Sequence, residues 1–99
     1  MNEKEFHKSF KHDRPPDGLS PALKALWHSW KGDWDRAHRT AQDDGTPDGS
    51  WVHALLHREE GDIGNARYWY GRAGKPIPST SIENERNEII RALLDERLE

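Results

Sequence analysis

The sequence predicts an all-α fold of two stacked helical hairpins closed by a C-terminal capping helix, and three observations carry that prediction. Residues 25–42, ALWHSWKGDWDRAHRTAQ, lie over residues 54–71, ALLHREEGDIGNARYWYG, without a gap, at an offset of 29 and with six of eighteen positions identical. Self-similarity at such a period is the mark of stacked supersecondary units. Apolar side chains recur at helical spacing, as in Leu23, Leu26, Trp27 and Trp30 at i, i+3, i+4 and i+7. Each unit also carries a Gly-Asp pair, Gly32-Asp33 and Gly61-Asp62. Glycine ends a helix in a left-handed conformation, and aspartate caps the next.

Taken in order, residues 1–18 read as an N-terminal arm in which Phe6 and Phe10 stand at helical spacing, to dock by two rings or to stay mobile. Residues 19–99 read as one helical domain. Ser20-Pro21 opens the first helix of hairpin 1 (20–43), and Asp33 opens its partner, with Trp34, Ala37, His38 and Ala41 facing inward. DDGTPDG, residues 43–49, is turn chemistry, which leaves Ser50 to open hairpin 2 (50–74). KPIPSTS connects to a capping helix over 81–98, for which Thr80 and Glu83 form a capping-box pattern. Ile82, Ile89, Ile90, Leu93, Leu94 and Leu98 line its apolar face, while Glu85, Glu88, Arg91 and Asp95 supply a polar outer face that covers the open end of the second hairpin.

Composition narrows the function classes. Of the 99 residues, 32% are hydrophobic and 33% charged, so the core leans on five tryptophans. The net charge is −3 with both signs interspersed, which excludes an evident basic face for nucleic acid. The chain has no apolar run near the length of about 18 residues that a spanning helix needs. Nor does an apolar segment follow the polar start MNEKEFHKSFKHDR. No membrane association and a cytoplasmic location are the expectations. The chain has no cysteine, hence no disulfide or thiolate chemistry.

The GDxxxA turn, with Ala25 and Ala54 seven positions before each glycine, resembles the tetratricopeptide class of helical hairpins. Ala66-Arg-Tyr-Trp69-Tyr70-Gly-Arg-Ala73-Gly74 resembles the second helix of Sel-like repeats. The stretch 22–74 also resembles a small bacterial protein family patterned WH…GDW…AH…HALLHR.EGD…NA.YWY.RAG. The first two likenesses imply a hairpin stack acting as a protein-binding adaptor. The period of 29 is shorter than usual for either class, and Thr40 and Ala41 stand where the second unit has Trp69 and Tyr70.

Several residues are candidates for chemistry. His53 and His57, at i and i+4, project from one helix face, the spacing by which a helix presents two nitrogens to a metal. Glu60 falls on the same stripe as a third ligand or a base. His28 is the repeat equivalent of His57, so His28, His53 and His57, with His38 as a further member, form the candidate set for a divalent metal such as zinc. The reading expected first, however, is that the same histidines are packed core imidazoles bonded to a carbonyl or carboxylate, with no cofactor; the metal is the alternative. Trp69 and Tyr70 face inward, their donors available to a histidine, while Tyr68, Arg67 and Arg72 face outward as a binding surface. His28 and Trp69 complete that candidate binding set. Asp33 and Asp62 read as helix caps rather than as an acid–base pair. The function expected first is an interaction module that binds a protein partner or self-associates. The alternative is a small metal-dependent or acid–base enzyme, or a ligand-binding protein, built on His28, His53, His57 and Glu60.

Overall fold

The computed structural model describes the backbone of residues 1–97 and the side chains of residues 1–95. It is all-helical, with α1 over Glu3–Lys8, a 3-10 turn over Ser9–Lys11, α2 over Pro21–Trp30, α3 over Trp34–Gln42, α4 over Pro47–Glu59, α5 over Ile63–Ala73 and α6 over Ile82–Arg97. No strand occurs among the described residues.

The two helix-to-helix turns share one geometry. Gly32 and Gly61 each sit at φ +84. Asp33 N donates to His28 O and Asp62 N to His57 O, both at 2.9 Å, while Gly32 N and Gly61 N close onto Ser29 O and Arg58 O. This is the Schellman arrangement, which satisfies the last carbonyls of α2 and α4 and needs the left-handed residue that glycine supplies. The aspartates then cap the following helices, accepting from Arg36 N at 3.2 Å and Asn65 N at 3.3 Å.

Two helix starts differ from the sequence expectation. α4 opens at Thr46-Pro47 rather than at Ser50, with Thr46 Oγ1 accepting from Gly49 N at 3.2 Å; Ser50 is buried inside the helix. Pro47, Asp48 and Gly49 of the expected turn are therefore helix, because Thr-Pro satisfies the free amides four residues earlier. Gly49 is required there: a Cβ would stand 2.6 Å from the Asp44 carbonyl oxygen. For α6, Ser81 replaces the Thr80–Glu83 box as the cap, accepting from Asn84 N at 3.1 Å. The Thr80 carbonyl instead receives the Arg58 guanidinium.

α4 is the central helix, buried without interruption from Gly49 to His57. α3 and α5 pack along one side of it, and α2 and α6 also rest on it. α6 spans α4, α2 and α1 rather than closing only the end of the second hairpin, burying Ile89, Ile90, Leu93 and Leu94; Leu98 lies outside the described residues. The arm is docked. Phe6 is fully buried, Phe10 stacks on Trp30 at 5.1 Å, and Ser9 Oγ accepts from Trp27 Nε1 at 3.0 Å.

Glu85 belongs to the interior, not to the polar outer face. It is 1% exposed, and its carboxylate oxygens lie 2.7 and 2.6 Å from the Tyr70 hydroxyl, with Arg58 Nη1 at 2.9 Å. Position 85 falls between Ile82 and Ile89 on the apolar stripe, three residues after one and four before the other. A carboxylate there is tolerable only because a phenol and a guanidinium from α5 and α4 meet it.

Candidate metal centre

α4 is buried from Gly49 to His57, and the side chains it turns toward α3 and α5 meet His38 and Trp69 along the seam between those helices. His53 and His57, one turn apart, fill that position. Their rings are nearly parallel, 24° apart with centroids 4.9 Å apart. α3 brings His38 edge-on to both, at 4.6 Å from His53 and 5.2 Å from His57. One ring nitrogen from each of the three lies within 4.8 Å of the others.

Two indoles hold the imidazoles in place. Trp34 stacks on His38 at 4.8 Å and 11°, and its own Nε1 donates to Leu56 O at 2.8 Å, which ties the ring to α4. Trp69, from α5, stacks on His53 at 3.8 Å and 12°. His53 and His57 are buried, whereas His38, Trp34 and Trp69 are half-buried, so the cluster is closed on its α4 side and reaches solvent along the seam.

The protonation pattern suits ligation. Glu60 Oε1 lies 2.7 Å from His57 Nδ1. A carboxylate acceptor there fixes the neutral ring as the Nδ1–H tautomer and leaves the Nε2 lone pair free. His53 is only 3% exposed, and its Nδ1 is buried with no hydrogen-bond partner. Burial pulls the His53 pKa from 6.5 down to about 4, with the neighbouring His38 and His57 adding to the effect. His38 is lowered for the same reasons, burial first and His57 second. His53 is thus held in the neutral state that binds metals, and His38 is shifted in the same direction. Zinc–nitrogen bonds of about 2.0–2.1 Å place tetrahedral donors roughly 3.3 Å apart, so these nitrogens, within 4.8 Å of one another, stand wider than a zinc site by about 1.5 Å at most.

The remaining sequence candidates separate. His28 stays outside the cluster, a correction to the expected His28, His53, His57 set. It lies on α2, edge-on to Trp27 at 5.3 Å, and its pKa is lowered by burial and then by Arg36. The neighbour of His57 comes from α3, which packs its His38 against α4, while α2 carries His28 beside Trp27. The signal for His38 was its inward place on the stripe with Trp34, Ala37 and Ala41. Glu60 orients His57 rather than standing free as a base. Trp69 is half-buried against His53, and Tyr70 is buried with its hydroxyl on Glu85 instead of on a histidine. Tyr68, Arg67 and Arg72 are exposed; Arg72 Nη1 donates to Tyr68 Oη at 3.2 Å, and its guanidinium lies over Trp69 at 5.2 Å. Asp62 and Glu60 form a second group of donors around His57, but the Asp62 carboxylate is occupied as the α5 cap and by Asn65 Nδ2 at 2.9 Å.

No known protein family, curated protein or solved structure matches this chain.

Proposed function

We propose that this chain is a small helical metal-binding protein that takes one divalent transition-metal ion of the zinc class through His38, His53 and His57. The observation that carries the reading is the orphaned Nδ1 of His53, buried among three imidazoles whose donor nitrogens lie within 4.8 Å of one another. An unpaired buried polar atom costs about 1–3 kcal/mol, and a metal-bound cluster is one physical reason for a core to keep histidine where leucine would pack. Nitrogen donors favour zinc, copper, nickel and cobalt over magnesium and calcium.

Equilibrium dialysis of untagged protein with zinc, followed by metal analysis, tests it. One ion per chain is expected, lost in a His38→Gln, His53→Gln double variant and kept in His28→Gln. Absence of stoichiometric zinc, or zinc retained by the double variant, overturns the reading.

A second reading, the interaction module, has its own support in the outer face of α5. There Tyr68 is 55% exposed beside Arg67 and Arg72. The Arg72 guanidinium lies 5.9 Å from the Tyr68 ring centre, and this exposed pair, with Arg67 next in the chain, suits an acidic peptide segment. Saturable binding of such a peptide, abolished by Tyr68→Ala with Arg67→Ala, would support it; no binding would dismiss it.

A further inference from the structure

Resting on the metal reading above, we infer that an ion at this centre keeps one exchangeable coordination position that solvent fills and a small anion displaces. The donor set is the first ground. Among the described residues, the group formed by His38, His53 and His57 has three members, and three protein ligands are the pattern of sites that stay open at a fourth position. Glu60 does not fill it. Its oxygen sits at Nδ1 of His57, on the ring edge away from the Nε2 that would bind the ion, and there it strengthens the imidazole as a donor.

Access is the second ground. His53 and His57 are covered by their own helix and its neighbours, while His38, Trp34 and Trp69 border the seam and are each partly exposed. Solvent would therefore reach a bound ion from the side of His38 and Trp69, the partly exposed members of the group.

Charge is the third ground and names the ligand class. The Arg72 guanidinium lies over the outer indole, 5.2 Å from the Trp69 ring centre, and the same indole stacks on His53. Glu60 and Asp62 place carboxylates beside His57, and Arg72 is the cation held over Trp69; the charge of a bound ion together with that guanidinium favours a small monodentate anion over a neutral donor.

Cobalt(II) is the probe, because its visible absorption reports both binding and coordination. Titration of the whole protein with cobalt is expected to give a saturating d–d spectrum, absent in His38→Gln. Addition of azide to the loaded protein then shifts and intensifies that spectrum with a single saturable isotherm, and Arg72→Gln weakens the azide affinity several-fold without changing the cobalt isotherm. A cobalt spectrum that azide leaves unmoved overturns the open position while sparing the metal reading. Azide binding that is unchanged by Arg72→Gln overturns the rim cation as the source of anion preference. Failure to bind cobalt overturns the metal reading and this inference with it.

Discussion

Trp69 lies flat on His53, with ring centroids 3.8 Å apart and planes 12° from parallel. The stack joins α5 to α4 and places an indole in van der Waals contact with a candidate ligand. Binding of cobalt or nickel is therefore expected to quench tryptophan fluorescence, with Trp69→Phe removing a large part of that quenching and a Trp34→Phe, Trp69→Phe double variant nearly all of it. Trp27 and Trp51 are buried elsewhere in the core and serve as the internal reference. A fluorescence titration set beside metal analysis checks this.

Glu60 accepts from His57 Nδ1 at 2.7 Å. Outer partners of this kind are worth about 10–100-fold in metal affinity. Glu60→Gln is expected to weaken zinc binding by about tenfold, measured against a competing chelator dye, with the far-ultraviolet circular dichroism and the melting temperature of the metal-free protein little changed. A side chain with only a structural role would lower the melting temperature and leave the dye competition unmoved.

Burial first, then the hydrogen bond and charge of Glu85, raise the Tyr70 pKa above its ordinary 10. The sign follows from linkage. A folded pKa above the unfolded one stabilises the fold fully below pH 10 and loses that contribution as pH rises beyond it, because the unfolded chain releases the proton more readily. In a Tyr68→Phe variant, which leaves Tyr70 as its one phenol, absorbance at 295 nm is expected to rise only together with loss of helical circular dichroism. Ionisation of the phenol in the still-folded protein would refute the assignment.

Arg58 and Glu85 meet at 2.9 Å with side chains 18% and 2% exposed. Removing one partner of a buried pair strands the other charge, at a cost of about 3–5 kcal/mol. Glu85→Ala is expected to lower the unfolding free energy by about 3 kcal/mol in urea denaturation, far more than Glu88→Ala on the exposed face of the same helix.

Gly49 and Gly71 are predicted to respond to alanine with opposite signs. A Cβ at 49 meets the Asp44 carbonyl oxygen at 2.6 Å, whereas one at 71 meets nothing within 4 Å. Gly49→Ala then loses about 1–3 kcal/mol through overpacking. Gly71→Ala, exposed in the last turn of α5, gains about 0.5 kcal/mol from helix propensity. Urea midpoints of the two variants check both signs.

What was readable along the chain was local. The Schellman turns at Gly32 and Gly61 and the aspartate caps depend on residues within five positions of one another, so their chemistry is written in sequence. Thr46-Pro47 carries the same opening signature as Ser20-Pro21, yet it is surrounded by Gly45, Asp48 and Gly49, which argue for a turn; helix α4 prevails because its following residues bury on every side. Glu85 was assigned outward by its charge although its spacing lay on the apolar stripe. Spacing decides orientation, and the charge is accommodated by partners on two other helices.

By itself the sequence determined the all-α class, the order of α2 to α6, the turns at Gly32 and Gly61 and the shared helix face of His53 and His57. These follow from hydrogen-bond closure and periodicity over one or two helical turns. Only the tertiary structure decided that His38 and not His28 completes the cluster, that Trp34 and Trp69 clamp it, and that Tyr70 and Arg58 neutralise Glu85. Each of those depends on how α3, α5 and α6 are set against α4. That register comes from packing the whole core, and no residue's near neighbours in the chain contain it.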